Sequence, residues 1–428
     1  MAKRSTREAI AILAALVGGL LLGIAAAAID ASWRDPAIRF ASAVGGLWLD
    51  ALQMTVVPLI VALLVTGIVG GAESVQGGGV ALRSMIWFVI VLTASAIFGG
   101  LAMPALLEAF PLPATAADSL RAGLAGVDQA AASASVPKAA DFFGSIIPSN
   151  VIAAAAADQI LPLVVFTALF ALAITRIESA KRATLFNFFQ AIEATMLVII
   201  GWVLWVAPVG VLALGFALGA GAGGAAFGAV LHYVVLVSVL GVLITLAGFA
   251  IAVSWGGWRL RDFTRAMIPP MAVAISTRSS LASLPAMLAA ARALGVPERN
   301  SDVTLPLAVA LFRATGPAMN LAVAIYVAYW LGVELTVWQL AAGIAMASVA
   351  SYWAVSLPGQ LSFVTSIAPI ALAMGLPIEP LAILIAVETI PDIFRTLGNV
   401  TLDVTVTGAV AKATRKDQRL EISRTASE

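Results

Sequence analysis

The chain has 428 residues, of which 61% are hydrophobic and 11% charged, with a net charge of +1 and a mean hydropathy of +1.02. Soluble domains carry about 45–50% apolar and ~25% charged residues, so this is the composition of a polytopic membrane protein, and no basic patch offers nucleic acid a footing. Cys is absent, which excludes disulfides, thiolate metal sites and a Cys nucleophile.

The N-terminal MAKRSTREAI leads into an apolar run that ends at Ile29. At about 20 residues the run exceeds a signal-peptide core and reads as a retained first transmembrane helix. Apolar runs long enough to cross a bilayer lie at about 9–29, 41–71, 84–108, 149–175, 184–218, 227–256, 302–332 and 377–411. Two more, about 266–296 and 338–374, are interrupted by Pro and polar residues. If each of these enters and leaves by the same side, they are re-entrant hairpins and the span count is eight.

Charge placement supports that count. Segments expected inside hold Lys3, Arg4 and Arg7, then Arg83, then Arg176, Lys181 and Arg182, then Arg259, Arg261, Arg265, Arg292 and Arg299, and finally Lys412, Arg415, Lys416 and Arg419. Segments expected outside hold only Arg34, Arg39, Arg121 and Lys138. Such a bias sets orientation, and it survives only if both interrupted runs are hairpins. The expected fold class is an all-α polytopic membrane protein with eight transmembrane helices and two re-entrant helical hairpins. It would be multi-pass in the inner (plasma) membrane, with both termini cytoplasmic. The Ala/Ser-rich stretch from about 109 to 147 reads as an external loop, and the polar tail after Arg419 as unstructured.

The single His, His232, sits in an apolar run and cannot alone build a multi-His metal site. It reads as a hydrogen-bonded packing residue, with proton handling as the second reading. The stretch AVETIPDIFRTLGNVTLDV, residues 386–404, is richer in chemistry. On a helix, Glu388, Asp392, Arg395, Thr396, Asn399 and Asp403 share one face. The opposite face is Ile393, Phe394, Leu397, Val400 and Leu402. Charge at bilayer depth is expensive, so such a stripe marks a functional site unless it is simply a solvated helix end.

The first interrupted run has a polar tip of Ser276, Thr277, Arg278, Ser279, Ser280 and Ser283, and the second turns at Leu357, Pro358 and Gly359. Non-helical backbone at membrane depth is tolerated where it lines a cavity, and half-helix ends there hold ions and anionic groups. Each hairpin precedes a long span, which is the signature of an inverted repeat with a site near the midplane. In the last span Arg395 is a planar fork suited to a carboxylate, Asp392 suits an α-ammonium, and Asn399 and Thr396 offer hydrogen bonds. An Asp and an Arg three residues apart also suit each other, and spacing alone does not choose.

These motifs resemble the glutamate transporter homologue family, the dicarboxylate/amino acid:cation symporters, over nearly the whole chain. GLWLDALQMTVVPLIVALLVTG from Gly46, IPSNVIAAAAADQILPLVVF from Ile147 and Ala207-Pro208-Val209-Gly210-Val211 are similar to the family's second, fourth and fifth helices. The serine-rich tip and the pattern Asp-x-x-Arg-Thr-x-x-Asn-Val-Thr-x-Asp, from Asp392 to Asp403, are the most specific parts. The resemblance implies a homotrimeric elevator-type symporter for a small acidic solute, an acidic amino acid or a dicarboxylate. It implies no organic cofactor, with Na+ or H+ as coupling ion.

The same resemblance divides the chain into scaffold helices at 1–82, a transport helix with the external loop at 83–147, scaffold helices again at 148–226, a transport core at 227–418 and a cytoplasmic tail at 419–428. It assigns Asp392 to an amino group, Arg395 to an acidic side chain, and Thr396 and Asn399 to a carboxylate. Arg278, Ser279 and Ser280, with the gating tip Leu357, Pro358 and Gly359, would close over the solute. Asp403 and the Asn399 carbonyl would form a sodium site.

Two departures bear on coupling. Where the family has Asn-Met-Asp-Gly-Thr, this chain has Phe312-Arg313-Ala314-Thr315-Gly316, and Gln360 and Leu361 replace small residues at the gate. Two readings of Arg313 stand side by side. It is a built-in cation balancing Asp403 or Glu388, or it points at its own hairpin or snorkels to water. On the first reading binding is sodium-independent, and proton coupling through Glu388 or Asp403 is favoured because desolvation favours a neutral carboxyl. A membrane enzyme would need a nucleophile with its base or a metal cluster, and neither is visible. A sensor that binds without transport is the other rival.

Overall fold

The computed structural model describes residues 2–29, 33–75, 79–112, 147–157, 160–222, 225–352 and 360–425. Nearly all of the expected external loop, and the tip Leu357, Pro358 and Gly359, lie outside these residues. Among the described residues the regular structure is entirely helical.

The chain order is α1 (Ala2–Ala28), α2 (Arg34–Gln53), α3 (Val56–Val75), α4 (Gly79–Ala109), α5 (Val151–Ala156), α6 (Ile160–Ile174), α7 (Ser179–Trp205), α8 (Ala207–Ala222) and α9 (Ala225–Ile251). It continues with α10 (Leu260–Thr277), α11 (Ser280–Ala293), α12 (Glu298–Leu311), α13 (Gly316–Leu331), α14 (Val337–Ala350), α15 (Gln360–Ala373), α16 (Leu381–Val387) and α17 (Thr389–Thr425). By length and composition, Gly79–Ala109, Ser179–Trp205, Phe227–Gly256 and Glu298–Leu331 can each cross a membrane. Shorter apolar helices include Ala14–Ala28, Val57–Gly70, Val165–Ile174, Ala207–Gly221 and Val337–Ala350.

Several runs expected to be single spans are divided. Run 41–71 becomes α2 and α3, 149–175 becomes α5 and α6, and 184–218 becomes α7 and α8. Run 302–332 becomes α12 and α13, and 377–411 becomes α16 and α17. The cause is local and common to all five. Pro58, Pro162, Pro208, Pro317 and Pro391 each fall in the first turn of the second piece. There a missing N–H costs nothing, whereas inside a continuous helix the ring would clash with the preceding turn. The tail also differs from expectation, because α17 stays helical to Thr425. Its Lys, Arg, Gln, Leu and Glu residues are good helix formers.

Two groups of helices pack among themselves. In the first, α1 and α2 lie on α8, and α3 lies on α6 and α7. The α1–α8 pair is held by close backbone approach. Gly19 and Gly23 face Gly215 and Gly219, and a Cβ on Gly219 would sit 2.5 Å from the Leu20 carbonyl oxygen. Small residues spaced by four allow such contact where lipid supplies no hydrophobic drive between helices.

In the second group α17 runs along α9, flanked by α10, α11, α12 and α4, while α4 also packs on α13 and α14. Helix α13 is buried on almost every side, from Gly316 to Ala328, as expected of a helix apolar all round. His232 ties this group together at one end. Its Nε2 donates to the Phe110 carbonyl (2.7 Å) and its Nδ1 lies 3.0 Å from the Tyr326 hydroxyl.

Candidate functional site

Three chain interruptions meet inside the second group. Helix α10 ends at Arg278, whose backbone is left-handed (φ 50°, ψ 39°), and α11 starts after Ser279. Arg278 is the single non-glycine residue with positive φ among the described residues. For an L-residue that conformation costs about 1–2 kcal/mol, so the tight turn is maintained against local preference. The Ser279 hydroxyl caps α11 by accepting the Ala282 N–H at 3.2 Å. The second interruption, Phe312 to Thr315, separates α12 from α13. Its Phe312 ring stacks on Phe88 of α4, centroids 4.5 Å apart, and Ser95 of α4 donates to the Ala314 carbonyl at 2.6 Å. The third, at Glu388, separates α16 from α17.

These pieces enclose a cavity of about 40 Å³, room for a few water molecules. Its polar lining is Arg278, Ser279 and Ser280 from the α10–α11 turn, Arg313 from the α12–α13 break, and Asp392, Arg395, Thr396, Asn399 and Asp403 from α17. Every sequence-selected site residue within the described set therefore lines this cavity except Glu388, which reaches it through Arg395.

One side of the lining is a closed polar network. Arg395 Nη2 donates to Glu388 Oε1 at 2.5 Å, Nη1 donates to Asn320 Oδ1, and Nε lies 3.9 Å from Asp392 Oδ1. The Tyr233 hydroxyl donates to Glu388 Oε2 at 3.3 Å. Glu388 is 3% exposed and Arg395 9%. The Arg395 fork, expected to be available to a solute carboxylate, is thus already engaged by the protein. Asn399 is engaged too. Its Oδ1 accepts the Thr315 N–H at 2.9 Å and lies 2.8 Å from the Thr315 hydroxyl. Gly398 permits this, because a Cβ there would collide with the Thr315 methyl. Thr396 donates back to the Asp392 carbonyl at 2.8 Å, leaving its oxygen lone pairs to the cavity.

The other side is open. Arg278 Nη1, Asp392 Oδ2 and both carboxylate oxygens of Asp403 are buried without a hydrogen-bond partner. Native structures leave few buried polar atoms unmade, and each calls for a reason. Here one orphan is a cationic donor and another an anionic acceptor, and both face the same cavity.

Two members of the closed network were not selected from sequence, Asn320 and Tyr233. Asn320 carries a readable signal as an amide in an otherwise apolar intramembrane helix. Tyr233 carries none beyond adjacency to His232, since tyrosine is common in apolar spans.

Apolar helices that surround a charged internal cavity, as the described residues do, are the features of a membrane transport protein. Residues 9–413 match the Sodium:dicarboxylate symporter family, and the chain belongs to it. That family consists of transporters, so the protein is not an enzyme. It is 28% identical to the proton/glutamate-aspartate symporter of Escherichia coli (strain K12), over 95% of this chain and 93% of that one. It is 27% identical to the proton/sodium-glutamate symport protein of Bacillus subtilis (strain 168), over 90% and 88%. It is 25% identical to the C4-dicarboxylate transport protein of Solibacter usitatus (strain Ellin6076), over 94% and 91%.

Proposed function

We propose that the protein is a secondary active carrier that moves an acidic amino acid across the plasma membrane together with a cation, Na+ or H+. The observation that carries this reading is the pair of buried orphans, Arg278 Nη1 and Asp392 Oδ2, facing one cavity. A zwitterion satisfies both at once, its α-ammonium on Asp392 and a carboxylate on Arg278. The first turn of α11 stands beside Arg278 and presents backbone N–H groups to the same carboxylate. The relatives named as glutamate and aspartate symporters favour an acidic side chain on that zwitterion. A plain dicarboxylate would satisfy the guanidinium groups and leave Asp392 Oδ2 without a donor.

Transport requires the pieces that line the cavity to part on one side of the membrane and then on the other. In our reading α10–α11 and α14–α15 are the two re-entrant hairpins, and the latter is the gate. The two packing groups are a scaffold (α1–α3, α6–α8) and a transport unit (α4, α9–α17) that slides against it in a homotrimer. The scaffold meets the transport unit chiefly along α15 and α16, a limited contact of the sort a sliding unit needs. The charge bias of the loops puts both termini in the cytoplasm.

Uptake by proteoliposomes tests this. L-[14C]aspartate should accumulate under an inward sodium or proton gradient and succinate should compete weakly. Preferential accumulation of succinate would shift the assignment to a dicarboxylate carrier. Tight aspartate binding with no accumulation under either gradient would make the protein a sensor.

A further inference from the structure

We propose that Arg313 is a resident counter-cation for Asp403, so that this face of the cavity is neutralised by the protein's own guanidinium and takes no metal cation. Asp403 is 0% exposed, and neither of its carboxylate oxygens has a hydrogen-bond partner. An isolated buried carboxylate is among the costliest things a fold can contain, unless it is protonated or a cation stands near it. Arg313 brings a guanidinium into the lining of the same small cavity as Asp403.

The charges around the cavity balance without any further ion. Arg278, Arg313 and Arg395 stand against Asp392, Asp403 and the Glu388 that pairs with Arg395. The remaining polar groups also fit a metal ion poorly. Asn399 Oδ1 already accepts the Thr315 N–H and lies beside the Thr315 hydroxyl, which leaves it at most one lone pair to offer an ion.

The position of Arg313 follows from the chain break. Between α12 and α13 the backbone leaves the helix at Phe312 (φ −106°, ψ 83°). Arg313, the next residue, lines the cavity. A guanidinium stays charged at any physiological pH, so the counter-charge is permanent. This inference concerns the same cavity that we read as the solute site, and solute-free measurements test it independently.

The test is thermal unfolding of the purified full-length protein in NaCl and in choline chloride of equal ionic strength. The wild type should melt at the same temperature in both. Arg313→Met should melt lower by roughly 5–10 °C in choline and recover part of that loss, saturably, in NaCl. Arg313→Met/Asp403→Asn should melt closer to wild type than Arg313→Met does, and should ignore sodium. Arg313→Lys, which keeps the charge, should remain sodium-insensitive and guards against a variant that merely fails to fold. Saturable sodium stabilisation of the wild type that disappears in Asp403→Asn would overturn the proposal. So would equal melting of Arg313→Met and the double variant. Adding L-aspartate and succinate separates the two claims. If neither solute shifts the wild-type melt in either salt, the solute assignment fails while the pairing is still judged on the solute-free melts.

Discussion

The two sides of the cavity use the same kinds of residue to opposite ends. On one side Arg395, Glu388, Asn320 and Tyr233 satisfy one another. On the other, Arg278, Asp392 and Asp403 hold buried polar atoms with no hydrogen bond. A closed buried network has every group spoken for and behaves as structure, while an open one keeps its interaction energy for something that arrives. The lesson is that charge and burial do not by themselves mark a binding group. Arg395 is the most buried guanidinium in the lining, and its nitrogens go to Glu388, Asn320 and Asp392.

This comparison can be broken or sharpened by substitution, and the closed side should respond most strongly in stability. Arg395→Ala leaves Glu388 buried without its partner and is expected to cost about 3–5 kcal/mol, read as a lowered unfolding midpoint with no solute present. If Arg395→Ala melts like wild type, the network is not structural. On the open side the order reverses. Asp392→Asn should cost less solute-free stability than Arg395→Ala does, yet weaken L-aspartate binding by roughly 10–100-fold. That range corresponds to about 1.5–3 kcal/mol for a lost hydrogen bond to a charged group. Succinate binding should be retained.

Arg278→Gly makes the sharpest contrast. Glycine removes the penalty of the left-handed turn but adds chain entropy to the unfolded state. The expected result is stability unchanged or raised by about 1 kcal/mol, with solute binding lost. A variant that both melts lower and still binds would deny Arg278 its place in the site. The smallest effect belongs to Tyr233→Phe, which deletes one hydrogen bond to Glu388 and should cost about 1 kcal/mol with binding unaltered.

The sequence carried the parts of this picture that rest on composition and on patterns confined to one segment. The charged stripe from Glu388 to Asp403 and the serine-rich turn at Arg278 each lie within one short segment, and helical periodicity is enough to place the residues of the stripe on one face. Helix breaks were less legible. Five apolar runs read as continuous because hydropathy averages over the prolines that divide them, although Pro208 and Pro317 sit where a first turn would put them. Partner choice was not legible at all. Nothing in the spacing from Glu388 to Arg395 told whether the arginine would face a solute or its own chain. That outcome depends on Asn320 of α13 and Tyr233 of α9, which are distant in sequence. Arg313 was conspicuous as a charge in an apolar span, but its direction is set by the backbone break at Phe312.

The most direct test of the central claim is calorimetric titration of the purified protein with L-aspartate and with succinate, in wild type and Asp392→Asn. The account predicts tighter binding of L-aspartate than of succinate by the wild type, and selective loss of L-aspartate binding in Asp392→Asn. Equal loss of both solutes, or an Asp392→Asn variant that binds L-aspartate as tightly as wild type, would contradict it.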